Sequence, residues 1–124
     1  MPDLAPTVTA PSFQDHPLAY YRWHLAHHAE MFVEFRRLAD WYRVTKSDRR
    51  VSADMICHVM RFQAGLKATD DQFAVNNVLT PLYARLYKRQ RPGANVETRT
   101  SQLDDLSEET WVELLALVPD EVTP

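Results

Sequence analysis

The chain has 124 residues, 45% apolar and 25% charged, with a formal charge of −3. This is the balance of one globular domain, and it excludes wholesale disorder. One cysteine, Cys57, excludes an internal disulfide framework, and two glycines, Gly65 and Gly93, exclude dinucleotide and phosphate-binding glycine loops.

Residues 1–17 hold four prolines and read as an extended arm without the basic residue or apolar block of a signal peptide. A helical stripe follows through Leu18, Tyr21, Leu25, His28, Phe32, Phe35, Ala39 and Tyr42. Val33 and Trp41 widen its apolar side. The run reads as one long helix or as two with a break near His27–His28.

Arg49-Arg50-Val51 could make a short strand. Ser52 then caps a second helix over about 53–64, with Asp54 in its first turn, Met55, Val59, Phe62 and Leu66 at helical spacing, and Ile56 beside them. Gly65 is its expected stop. After a polar connector, Thr80-Pro81 starts a third helix, with Asn77 as the competing cap. Leu79, Leu82, Tyr83 and Leu86 form its expected buried side. Pro92-Gly93 ends it, and 95–101 alternates as a second short strand. Ser107 caps an acidic helix over about 108–118, with Leu106 and Trp111 placed as a hydrophobic staple.

The expected fold is mainly α: a small winged-helix-like, helix-turn-helix domain over 18–101 with a minor β element, followed by an added acidic helix and tail over 102–124. No apolar run is long enough to span a bilayer. The expected compartment is the cytoplasm, with no membrane partner. The long first stripe permits a homodimer, and a core role explains it equally well.

Charge is unevenly placed. All fourteen Lys and Arg lie between Arg22 and Arg99, with only eight acids, so this stretch is about +6. Residues 104–124 carry seven acids and no base. Arg85, Lys88 and Arg89 stand at i, i+3 and i+4 on the third helix, on a face read as opposite Leu82 and Leu86. They are the expected phosphate ligands. Asn76, Asn77 and Thr80 would approach bases, and Arg91 and Arg99 would act from the turn and wing. The expected partner is nucleic acid, duplex DNA first. The second reading is a host nucleic-acid-handling protein, engaged through Asp104, Asp105, Glu108, Glu109 and Glu113.

No catalytic set, cofactor or metal is expected. His24 and His28 lack a third ligand, Cys57 and adjacent His58 point about 100° apart on a helix, and the carboxylate pairs lie in polar connectors. Cys57 is read as a small core residue.

His28-Ala29-Glu30, Ser52-Ala53, Arg61, Phe73-Ala74-Val75-Asn76-Asn77, Tyr83-Ala84-Arg85, Pro92 and Val96-Glu97-Thr98-Arg99 form a series. In it the chain resembles a group of small phage and prophage proteins over about 28–99. The resemblance implies a compact helical domain of mobile-element origin and no enzyme. Pro81 and the acidic C-terminal helix depart from that pattern. The acidic helix could cover the basic face, contact a dimer mate or imitate nucleic acid.

Overall fold

A computed structural model describes residues 10–45, 50–67 and 77–119, with the side chains of 64–67 and 77 left out. Asn76 lies outside the described residues. The described chain is mainly helical: α1 (Pro17–Thr45), α2 (Ala53–Lys67), α3 (Thr80–Gln90) and α4 (Glu108–Ala116). Two 3-10 turns, Asn77–Leu79 and Gln102–Asp105, precede α3 and α4.

The first stripe folds as its spacing predicts. Tyr21, Leu25, Phe32, Phe35 and Ala39 are all buried in the core. The break near His28 is also real, since that residue leaves helical geometry at φ −137°, ψ 35° within α1. Trp41 departs from expectation at 63% exposed. It stands two residues from buried Ala39, about 200° around the helix. The stripe is therefore core rather than a dimer seam. The start of α1 is tied down by Phe13, whose ring meets Tyr20 and Tyr21 edge-on at 5.8 and 5.5 Å.

Helix α2 is capped by Ser52, whose Oγ accepts from the Met55 N–H at 3.2 Å. It runs through Gly65 to Lys67, past the expected stop. Its buried side is Ala53, Ile56, Cys57 and Met60. The stripe read as apolar from spacing, Met55, Val59 and Phe62, faces the opposite way and is exposed.

Helix α3 is central, with six consecutive residues, Leu82 to Tyr87, buried. A surface helix hides one stripe, whereas α3 is covered around most of its circumference, with Lys88 and Arg89 left exposed. Thr80 is its first residue rather than its cap; Leu79 holds the cap position without a side-chain bond. The 3-10 turn that leads in replaces the expected polar cap.

The β element is smaller than expected. Among the described residues it is one parallel bridge, Val51 to Val96, made by Val51 N–H to Asn95 O at 2.8 Å and Glu97 N–H to Val51 O at 3.4 Å. Residues 97–100 continue without a ladder. The acidic C-terminal segment is not an appendage. Leu103, Trp111, Leu114 and Val118 join the same core as α1–α3. Ser107 caps α4 as expected, accepting from the Thr110 N–H at 3.1 Å.

Two polar pairs lie inside this core. The Tyr21 hydroxyl donates to the Val78 carbonyl at 2.8 Å, joining α1 to the lead-in of α3. His24 Nε2 meets the Tyr83 hydroxyl at 2.6 Å, a bond that two neutral groups supply with one donor and one acceptor. Burial, with a smaller contribution from neighbouring His28, lowers the His24 pKa to about 4. Burial raises that of Tyr83.

The sign of the pH effect follows. An unfolded His24 takes up a proton below about 6.5, and the folded one does so only near 4, so stability falls as pH drops through this window. The expected loss from this group is up to about 3 kcal/mol. His24→Gln should flatten the slope of urea-unfolding stability between pH 6.5 and 4. An unchanged slope in the variant would remove His24 as its source.

Candidate nucleic-acid interface

The third-helix cations are the natural place to look for a docking surface, and the fold uses most of them internally. At 100° per residue, Arg85 and Arg89 flank the Leu82–Leu86 stripe, about 80° and 40° from its centre, and only Lys88 stands truly opposite. The reading of all three as one outward face is corrected on this geometry. Arg85 is buried at 7% exposure.

The Arg85 guanidinium has three destinations. Nε donates to Asp104 Oδ1 at 3.1 Å, Nη1 to the Pro81 carbonyl at 3.1 Å, and Nη2 to the Arg99 carbonyl. Asp104 also accepts the Ser101 N–H at 3.0 Å, and Ser101 Oγ accepts the Leu103 N–H at 3.1 Å. This capping box opens the second 3-10 turn. Arg85 thus holds a carboxylate whose position is fixed by its own turn. The bond from Arg85 and the one from Ser101 keep the Asp104 carboxyl below the usual carboxylate range.

Arg89, Arg91 and Arg22 are similarly engaged. Arg89 makes a two-pronged pair with Glu108, both bonds 2.8 Å, and its guanidinium lies 4.8 Å from the Trp111 ring centre. The Arg89 bond holds the Glu108 pKa down. Arg91 clamps Asp40 on α1 through Nε and Nη2 at 3.1 and 2.8 Å, and the Tyr87 hydroxyl donates to the same carboxylate at 2.6 Å. Arg22 pairs with Glu113 through both guanidinium arms, tying α1 to α4.

Of the expected base-reading residues, Asn76 and the side chain of Asn77 lie outside the described residues, and Thr80 is not at an open helix start. Asn77 begins the 3-10 turn. Thr80 is half-buried, with its hydroxyl bonded to the Cys57 thiol. Burial raises the Cys57 pKa, so this thiol is a core group as its position predicts. Lys88 and Arg99 are exposed and make no ion pair among the described residues. Of the acidic positions read as a partner surface, Asp104, Glu108 and Glu113 are the partners of Arg85, Arg89 and Arg22. Asp105 and Glu109 remain exposed without such a pair among the described residues.

A half-open groove of about 700 Å³ lies beside Arg85. Phe13, Leu18, Tyr21, Pro81 and Leu106 make its apolar walls, and residues 97–102 form one edge. Among the described residues, no group of three or more His, Cys, Asp or Glu is placed to hold a metal ion, and no helix is long and apolar enough to cross a membrane.

An exposed apolar row on α2 was misread by spacing as the core side of that helix. Met55, Val59 and Phe62 stand in one row on α2 at 37%, 38% and 68% exposure. The signal was present: α2 carries two apolar rows, and a surface helix needs only one for its core.

Comparison with protein-family models, curated proteins and solved structures finds no match.

Arg85 and Lys88 should separate cleanly by substitution. Arg85→Ala strips the Arg99 and Pro81 carbonyls of their donor and is expected to destabilise by roughly 3 kcal/mol. Lys88→Ala should stay within about 0.5 kcal/mol. Urea unfolding midpoints measure both, and a neutral Arg85→Ala would return that residue to the surface.

Proposed function

We propose that this chain is a non-enzymatic binding protein whose partner is another protein, docked on the outer face of α2. The supporting observation is the row Met55, Val59 and Phe62, apolar and in solvent at the spacing of a helix face that fits a groove or a second helix. A helix that already buries Ala53, Ile56, Cys57 and Met60 gains nothing for its own fold from that second row. Three of the cations that would compete for polyanions, Arg85, Arg89 and Arg91, are paired with carboxylates of the same chain. With the resemblance to phage proteins, the reading is a mobile-element adaptor or inhibitor acting on a host complex in the cytoplasm. Its contact is α2 rather than the acidic segment.

Nucleic-acid binding is the second reading, favoured by exposed Lys88 and Arg99. A winged-helix arrangement would place them along a duplex, with Lys88 on α3 and Arg99 beyond the bridge. Two phosphate contacts give an affinity that falls by only about two log units per log unit of salt.

A tagged full chain should retain a host protein from nuclease-treated lysate. Phe62→Asp is expected to remove it, and the Lys88→Ala, Arg99→Ala pair to leave it in place. Capture that disappears with nuclease and survives Phe62→Asp would favour the nucleic-acid reading instead.

A further inference from the structure

We propose that the groove beside Arg85 is a site for an extended, alternately apolar segment of chain, and that its occupant is residues 2–9 of this same chain. The groove is separate from the outer row of α2, since Met55, Val59 and Phe62 do not line it. The two sites therefore stand or fall independently.

The groove has an apolar side, made by Phe13, Leu18, Tyr21, Pro81 and Leu106, and a polar edge, residues 97–102. On that edge Thr98 and Thr100 are exposed and, among the described residues, make no hydrogen bond. Their polar groups are open to the main chain of an extended occupant. Arg99 lies between them, exposed and without an ion pair among the described residues. It stands three residues from buried Val96, on the opposite side of an extended run, and so toward solvent.

Residues 1–9 lie outside the described residues, and their sequence supplies a matching pattern. Pro2, Leu4, Pro6 and Val8 are apolar, and Asp3, Ala5, Thr7 and Thr9 alternate with them. Period two is the pattern of an extended segment with one face buried. Pro6 opposes a helix and lacks the N–H of a complete ladder, which suits a groove better than a sheet interior. With the even-numbered residues turned inward, Asp3 turns outward, on the same side as Arg99.

Position selects this occupant over a foreign peptide. Ala10 and Pro11 are half-buried, and Phe13 is already in the groove wall. The entry to α1 is fixed behind it by His16 N–H to Ser12 O at 2.8 Å. Residues 2–9 reach about 26 Å when extended, more than the roughly 20 Å along residues 97–102. A segment tethered at this distance meets the groove at an effective concentration on the order of millimolar.

A nitroxide label on Ala5→Cys of the full chain tests this by nuclear magnetic resonance. Native Cys57 is buried, which directs the label to the new thiol. The amide signals of Thr98, Arg99 and Thr100 should broaden, equally at every protein concentration. Leu4→Asp with Val8→Asp should abolish the broadening. Arg99→Asp should reduce it, and Asp3→Arg with Arg99→Asp should bring it back. An apolar fluorescent dye gives a readout independent of the label: its binding should rise in the Leu4→Asp, Val8→Asp chain.

Sharp signals at these three amides overturn the proposal. So does broadening that survives Leu4→Asp with Val8→Asp. Broadening that fades on dilution also overturns it, because the segment would then come from a second copy. None of these outcomes bears on capture of a host protein through Phe62.

Discussion

The structure depends on one buried guanidinium. Arg85 sits in the middle of α3 with apolar neighbours, and its charge is acceptable there because a carboxylate and two carbonyls converge on it. Two of these three acceptors, Arg99 O and Asp104 Oδ1, belong to the stretch after the α3 turn. That stretch has one β bridge and no ladder to hold it. The cation inside α3 supplies the missing attachment. It accounts for why residues 99–104 lie against the helix and why α4 is delivered to the core, where Trp111 and Leu114 are buried.

The uneven charge of the sequence takes on a different meaning in the fold. A basic middle and an acidic end suggest two surfaces, each for a separate partner. The fold brings them together: Arg85 with Asp104, Arg89 with Glu108, and Arg22 with Glu113. The exposed pairs among these contribute little stability each, and they set orientation more than energy. Their larger consequence is that, among the described residues, Arg22, Arg85 and Arg89 are directed to carboxylates of the same chain. Among the described residues, apolar side chains also stand in solvent, on α2 and at the end of α1, where Trp41 and Val44 are exposed.

Much of this was legible in the residues, and the failures share a cause. The first helix, its break at His28 and the Ser107 cap follow from spacing and local chemistry. Arg85 was misplaced because proximity to Lys88 and Arg89 drew it to the polar side, although it is three residues from Leu82 and therefore its neighbour on the helix. The second helix was turned about its axis because two apolar rows compete, and large residues at 55, 59 and 62 outweigh Ala53 and Cys57 on any hydrophobicity count. The core selected the smaller row, which lets α2 approach α3 closely enough for Cys57 to bond Thr80. The Ser101 capping box was written plainly as Ser-Gln-Leu-Asp, but its importance comes from Arg85, a partner sixteen residues earlier. Such long-range charge pairing has no period for a sequence pattern to reveal.

The central claim is that Arg85 is an internal tie and not a surface ligand. Hydrogen exchange of its Nε–H, followed by nuclear magnetic resonance, measures this at the atom concerned. The account predicts an exchange rate slowed well below that of an exposed arginine and unaffected by added duplex DNA. Exchange at the exposed rate, or a signal that shifts when DNA is added, would contradict it.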